Sequence, residues 1–194
     1  QENIGKVKNA GVEVNMSYTV FSHAKDRSYL TLALRGAHNK NKVLKISDSM
    51  KAYNERMDKE MLEGGKHVIK YYDGVSMNAI WAVPSLGIDP ATGREIYRKK
   101  DGRSTFTYDV NDMVICGDNL PKLNGSFSIN LGYKGLGFNK TCIYELGAKM
   151  FNQTLIDRVE NVDMHYNVDR RVLEGRWQNP GDVVRFRSLK SYWD

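Results

Sequence analysis

His23, His38, His67 and His165 are the side chains of this 194-residue chain best suited to moving protons or ligating metal near neutral pH. They stand in unrelated contexts, and none belongs to an H-E-x-x-H run that would set two imidazoles on one helix face around zinc. The acids offer two arrangements. Asp109, Asn111, Asp112 and Asp118 supply the oxygens that a hard cation takes, but their spacing departs from a calcium loop and no bidentate Glu follows. They read as turn-forming Asx residues. Asp157 and Glu160 have the residue types of a glycosidase pair, yet neither is given an apolar setting that would raise a carboxyl pKa, and both read as helix-surface charge. No G-x-S-x-G, Walker loop or G-x-G-x-x-G after a strand occurs. No enzyme, cofactor or metal centre is expected.

Cys116 and Cys142 are too few and too far apart for a metal framework; whether they pair is left open. The formal charge of +6 is spread evenly, with clusters only at 98–100 and at Arg170-Arg171, each beside an acid (Asp101, Asp169). Such runs read as solvated loops, and nucleic acid is not an expected partner. The aromatic side chains Trp81, Tyr97, Trp177 and Trp193 all lie in the long segments between and after the hairpins, where they could stack against a sugar ring or line a ligand cavity. Trp81, Tyr97 and Trp177 are the candidate substrate-binding residues, and loop packing is the rival account.

The elements that must position these residues are two hairpins. In "GVEVNMSYTVF", Val12, Val14, Met16, Tyr18 and Val20 alternate with Glu13, Asn15, Ser17 and Thr19, the period of a strand with two unlike faces. Leu30, Leu32 and Leu34 repeat the pattern after a short polar connection, giving a hairpin over 11–37. A second hairpin over 122–147 sets Leu123, Phe127, Ile129, Leu131 and Tyr133 against Asn124, Ser126, Ser128 and Asn130, turns at Lys134-Gly135, and continues through Leu136, Phe138, Cys142, Tyr144 and Leu146. Lys140 interrupts that apolar row.

The regions 38–120 and 148–194 differ in kind. Ile46, Met50, Tyr53, Met57 and Met61 fall at steps of three and four behind serines, which predicts an amphipathic helix ended by Gly64-Gly65. Short strands are predicted around Glu95–Tyr97 and in "STFTYDV", and helical spacing in "FNQTLIDRVEN" and "NVDRRVLEGRW". Tight turns on one side and long, helix-bearing connections on the other match a membrane barrel with short periplasmic turns and long external loops. No apolar run is long enough for a spanning helix, but alternation hides a spanning strand from hydropathy averages.

"SMNAIWAVPSLGIDPATGREIYRKKDG", "GDNLPKLNGSFSINLGYKGLGFN", "FNQTLIDRVEN" and "NVDRRVLEGRWQNPGDVVRFRSL" together resemble the C-terminal half of SusC/RagA-type TonB-linked outer membrane proteins of Bacteroidetes. "NAGVEVNMSYTVF" and "AHNKNKVLKIS" resemble the hairpin that precedes it. The resemblance implies a mainly β chain, an antiparallel segment of a large TonB-dependent barrel of about twenty-two strands, with the plug domain, the TonB box and the last strands outside it. It implies an outer membrane location, a SusD-like lipoprotein partner, the TonB complex as energy source, and import of glycans or peptides. On that reading Val12, Val14, Met16, Tyr18, Val20, Leu123, Phe127, Ile129, Leu131 and Tyr133 face lipid and the Asn/Ser faces line the lumen. Tyr18, Tyr133 and Tyr144 are then candidates for the interfacial aromatic girdle. The alternative is a soluble carbohydrate-binding β-sandwich, which would bury the same apolar faces against a second layer.

Overall fold

The computed structural model describes residues 5–64, 69–162, 165 and 167–189, with the side chains of 61–64 excepted. Met61 as a side chain, His67 and Trp193 therefore lie outside the described residues. In chain order the elements are β1 (Gly5–His23), β2 (Ser28–Ile46), α1 (Asp48–Gly64), β3 (Ala79–Ala82), β4 (Ser85–Ile88), β5 (Glu95–Arg98), β6 (Ser104–Thr105), β7 (Val114–Asp118), β8 (Leu123–Tyr133), β9 (Leu136–Leu146) and α2 (Gln153–Leu155). The chain divides into two compact units. The first takes the residues up to Lys51, Tyr71–Asn78 and Asp118–Lys149; the second takes Ala52–Lys70, Ala79–Gly117 and the stretch from Met150 on.

The first unit is one antiparallel sheet in the order β1-β2-β8-β9. Alternation in the sequence gives each strand two unlike faces, and the register keeps like with like. Met16 stands opposite Leu34, which stands opposite Phe127, which stands opposite Cys142; Tyr18, Leu32 and Ile129 form the next row. The turn between β8 and β9 is the two-residue kind that fits twisted strands, with Lys134 at φ 47 and Gly135 at φ 92. β1 and β2 are 19 residues each, so the first hairpin extends past 11–37 at both ends. At about 3.3 Å per residue such strands outrun a bilayer crossing, which takes about 9–11 residues.

The second unit holds a two-stranded sheet, β3-β7, and a three-stranded sheet, β4-β5-β6. Most of α1 belongs to it. Ser47 opens that helix by accepting from the Met50 backbone N–H, and Met57 packs with Val110 and Met113, with Tyr53, Trp81 and Val83 against them. The helix predicted in "FNQTLIDRVEN" forms as α2 running into a π turn, Ile156–Glu160. The one predicted around 168–177 does not: only a 3-10 turn, Arg170–Val172, is present there. Gly175 leaves the helical region at φ 68, and the Val172 carbonyl accepts from the Arg176 side chain. The strand predicted in "STFTYDV" shortens to β6, and Asp109 then caps a 3-10 turn, Val110–Asp112.

Candidate barrel wall and loop cluster

The sheet of the first unit is a wall with an uncovered apolar face. Val12 is 67% exposed, Met16 54% and Tyr18 69%, and Val14, Leu34, Leu123, Phe127, Tyr133 and Phe138 are exposed as well. A sandwich would have buried these side chains against a second layer, since face-to-face sheets interdigitate their inner side chains. Ile129 and Leu131 are half-buried by their neighbours in the same face. Val20 is the extra residue of a bulge, because Thr19 pairs with Thr31 and Phe21 with Leu30. The bulge brings Phe21, and not Val20, into the row of Leu30 and Leu131.

The opposite face is mostly polar, with Ala33, Ala37 and the exposed Ile143 among its apolar exceptions. Glu13, Asn15, Ser17 and Thr19 stand beside Arg35 and Thr31, then Ser126, Ser128 and Asn130, then Thr141 and Asn139. Hydroxyls pair across strands, Thr19 with Thr31 at 3.3 Å and Ser128 with Thr141 at 3.0 Å. Arg35 is a cation on this face that the sequence reading did not single out. Lys140 falls on the apolar face, opposite Ile129.

Two glycines let tyrosine rings cross the sheet surface, one on each face. Tyr144, opposite Gly125, lies over it and donates its hydroxyl to the Arg35 carbonyl at 2.8 Å; Tyr29 lies over Gly132. A side chain at either glycine would collide with the ring.

In the second unit Trp81, Tyr97 and Trp177 have different surroundings. Trp81 packs on the Met57, Val110 and Met113 cluster. Trp177 covers Gly93, where a Cβ would run into the indole, and donates from Nε1 to the Pro90 carbonyl at 2.9 Å. It thereby fastens the 89–94 turn, whose Asp89 accepts from Thr92. Tyr97 meets Tyr108 edge-on, with ring centroids 5.5 Å apart, and donates its hydroxyl to Glu95 at 2.9 Å. Burial first, and the Glu95 carboxylate second, push the Tyr97 phenol well above its usual range, so it is a hydrogen-bond donor at any physiological pH.

Arg176 organises the neighbouring backbone and had no signal in the sequence beyond being one arginine in "EGRW". It is 5% exposed and donates to the carbonyls of Val172 (2.7 Å), Arg187 (2.9 Å) and Val159. Val159 and Val172 are fully buried. Glu160 next to this knot is half-buried, and burial followed by the charge of Glu95 raises its pKa against the opposing pull of Arg187, Arg176 and Arg185. The desolvated setting that the sequence did not give this carboxylate is therefore present. Asp157, its imagined glycosidase partner, accepts from the Gln153 side chain at 2.8 Å.

Asp109, Asp118, Asp112, Asp101 and Asp169 serve turns and ion pairs. Asp109 and Asp118 accept backbone N–H groups two residues on, each at 2.8 Å, and Asp112 accepts from the Lys100 N–H. Asp101 pairs with Arg103 and Asp169 with Arg171, which lowers both carboxyl pKa values, that of Asp169 to about 2. Among the described residues no disulfide joins Cys116 to Cys142, and no group of three metal-ligating side chains occurs.

No family model matches the chain. The TonB-dependent receptor P39 of Formosa agariphila is 23% identical over 237 residues, which take in 97% of this chain and 21% of that protein. A structure of the RagAB peptide transporter superposes with a TM-score of 0.73 at 18% identity, over 96% of this chain and 20% of the other. The RagAB peptide importer in its closed-closed state gives 0.67 at 19% identity, over 96% and 21%. The chain thus spans about a fifth of the length of the proteins it matches. Its four-stranded wall and its loop unit have the fold of one section of a TonB-dependent transporter of the SusC/RagA type, as the sequence motifs indicated.

Proposed function

We propose that this chain is a section of the barrel wall of a TonB-dependent outer membrane transporter. The observation that carries the reading is the uncovered apolar face, continuous over four strands in register, backed by a face of Asn, Ser, Thr and Arg35. Outward apolar and inward polar positions alternate in this way along every strand of such barrels. Val12, Val14, Met16, Tyr18, Leu123, Phe127, Ile129, Leu131 and Tyr133 meet lipid, and the polar face borders the lumen. The 24–27 and 134–135 turns lie on the periplasmic side, and the long segments of the second unit lie outside the cell. There Tyr97, with Tyr108 and Glu95, is the best placed of the three candidate aromatics to meet a substrate, because Trp81 and Trp177 are occupied in packing. The cargo is a peptide or glycan too large for a porin, delivered with a SusD-like lipoprotein and driven by the TonB complex. The similarity to a RagAB peptide transporter supports a peptide first.

The test is cysteine accessibility in the full-length protein, with Cys116 and Cys142 replaced by Ser. Single cysteines at Val14, Met16 and Phe127 should resist a membrane-impermeant maleimide in intact outer membranes, and those at Asn15, Ser17 and Ser128 should react. Equal labelling of both sets removes the barrel reading.

A further inference from the structure

The apolar face of the sheet ends in a block of lysines that lie on the same side of it. Register decides this. Val12 pairs with His38, Ala10 with Lys40 and Lys8 with Lys42, so Lys8, Lys40 and Lys42 continue the row of Met16 and Leu34. A bulge at Leu44 then shifts the count by one and pairs Lys6 with Lys45, which adds both to that face. All five lysines are exposed. Among the described residues Lys6, Lys8, Lys40 and Lys42 form no ion pair, so no described acid neutralises them.

Resting on the reading of the wall as a barrel section, we propose that this block binds the phosphate groups of lipid headgroups in the outer leaflet. Its height fits. Lys40 and Lys42 lie two and four residues beyond His38, about 7 and 14 Å along the strand, or about 5 and 10 Å along the normal of a strand tilted near 45°. The headgroup layer adds about 5–8 Å beyond the hydrocarbon on each side, so Lys40 stands within it and Lys42 stands just above it, where its long side chain reaches back to the phosphates. The end is also the outer one, since it carries the long connections and the opposite end the tight turns. His38, Lys40, Lys42 and Lys122 border a cleft of about 200 Å³ with Ser76 and Asp118, which gives a headgroup a seat beside the strands. Asp118 also lines it, with a carboxylate oxygen taken by the Leu120 N–H at 2.8 Å. His38 donates from Nδ1 to the Lys122 carbonyl and fixes the rim. An ammonium group near an anionic surface gains attraction that falls off within a Debye length, so the site needs lysines at headgroup height and on the lipid side, which is where the register puts them.

The experiment uses the full-length protein, wild type and Lys8→Gln/Lys40→Gln/Lys42→Gln, reconstituted in phosphatidylcholine vesicles doped with bis-phosphorylated lipid A or with the same lipid stripped of its phosphates. Flotation with the vesicles reports insertion, and lipid A retained per protein after detergent extraction reports binding. Wild type should keep about tenfold or more of the phosphorylated over the stripped lipid, and the triple variant should lose that preference while floating equally well. Equal retention by the two proteins, both inserted, overturns the proposal. So does unchanged lipid retention with loss of the co-purifying lipoprotein, which would assign the lysines to a protein partner. Failure of wild type to insert into either vesicle removes the barrel reading itself, and the proposal with it.

Discussion

Tyr144 of β9 lies across Gly125 of β8 and reaches past it to donate its hydroxyl to the Arg35 carbonyl of β2 at 2.8 Å. One side chain thus ties three strands. A Cβ built on Gly125 would stand 2.0 Å from the Arg35 backbone oxygen, 2.6 Å from the tyrosine oxygen and 2.8 Å from its ring carbon, so only glycine admits both the neighbouring strand and the ring. Gly125→Ala should displace Tyr144 and cost about 1–3 kcal/mol, while Tyr144→Phe, which keeps the ring and loses one hydrogen bond, should cost about 1 kcal/mol. Urea titration of the full-length barrel in micelles checks both, and the order Gly125→Ala worse than Tyr144→Phe is the decisive part.

Lys140 faces the apolar side opposite Ile129, halfway along β9 between the Lys134-Gly135 turn and Leu146. A lysine on the lipid face of a barrel costs about 2–4 kcal/mol near the midplane and less toward the interfaces. Lys140→Leu should therefore stabilise the reconstituted barrel by up to about 3 kcal/mol in the same titration. A destabilising result would mean that Lys140 meets something other than lipid.

The second hairpin was legible because its two signals agree, with alternation from Leu123 to Tyr133 and an αL-tolerant Lys134-Gly135 between the runs. The outer ends of β1 and β2 were not. "KVKNA" and "NKNKVLKI" put Lys on one face and Asn on the other, so both faces are polar, the period of two carries no apolar signal there, and backbone pairing with its bulge at Leu44 alone extends the strands. The pairing of β2 with β8 joins segments separated by the whole 38–120 region, which local patterning does not encode. Arg176 escaped for a related reason. Its role depends on carbonyls 11 and 17 positions away as well as that of Val172, and Val168, Val172 and Trp177 happened to fall at helical spacing around it.

That role makes a third prediction. Arg176 is the common donor for the carbonyls of Val159, Val172 and Arg187, in a fork that lysine lacks. Arg176→Lys and Arg176→Met should both release the C-terminal loop, at a cost of about 3 kcal/mol from carbonyls left buried without donors. Hydrogen exchange over residues 156–187 should accelerate while the sheet stays protected. Uniform protection in both variants would show that the arginine is dispensable.

Glu160 supplies a pH dependence whose sign can be worked out. Burial raises its folded-state pKa above the ordinary carboxylate value of 4.5, so the folded loop binds this proton more tightly than the unfolded chain does. Stability contributed by the proton is fully present below the ordinary value and is lost as pH rises through the raised folded pKa. Asp169 acts in the opposite sense, because pairing with Arg171 lowers its pKa from 3.8 to about 2; its contribution is present above 3.8 and vanishes as pH falls through about 2. The two windows do not overlap. Between pH 4.5 and neutrality the loop should therefore open progressively in wild type, and Glu160→Gln, which keeps a neutral side chain of the same shape, should hold the low-pH protection throughout. Protease cleavage within 156–187, followed as a function of pH in both proteins, reads the difference. Arg187, Arg176 and Arg185 pull the Glu160 pKa down, so if they outweighed burial the wild-type loop would instead tighten as pH rises, and Glu160→Gln would be the looser protein at neutrality.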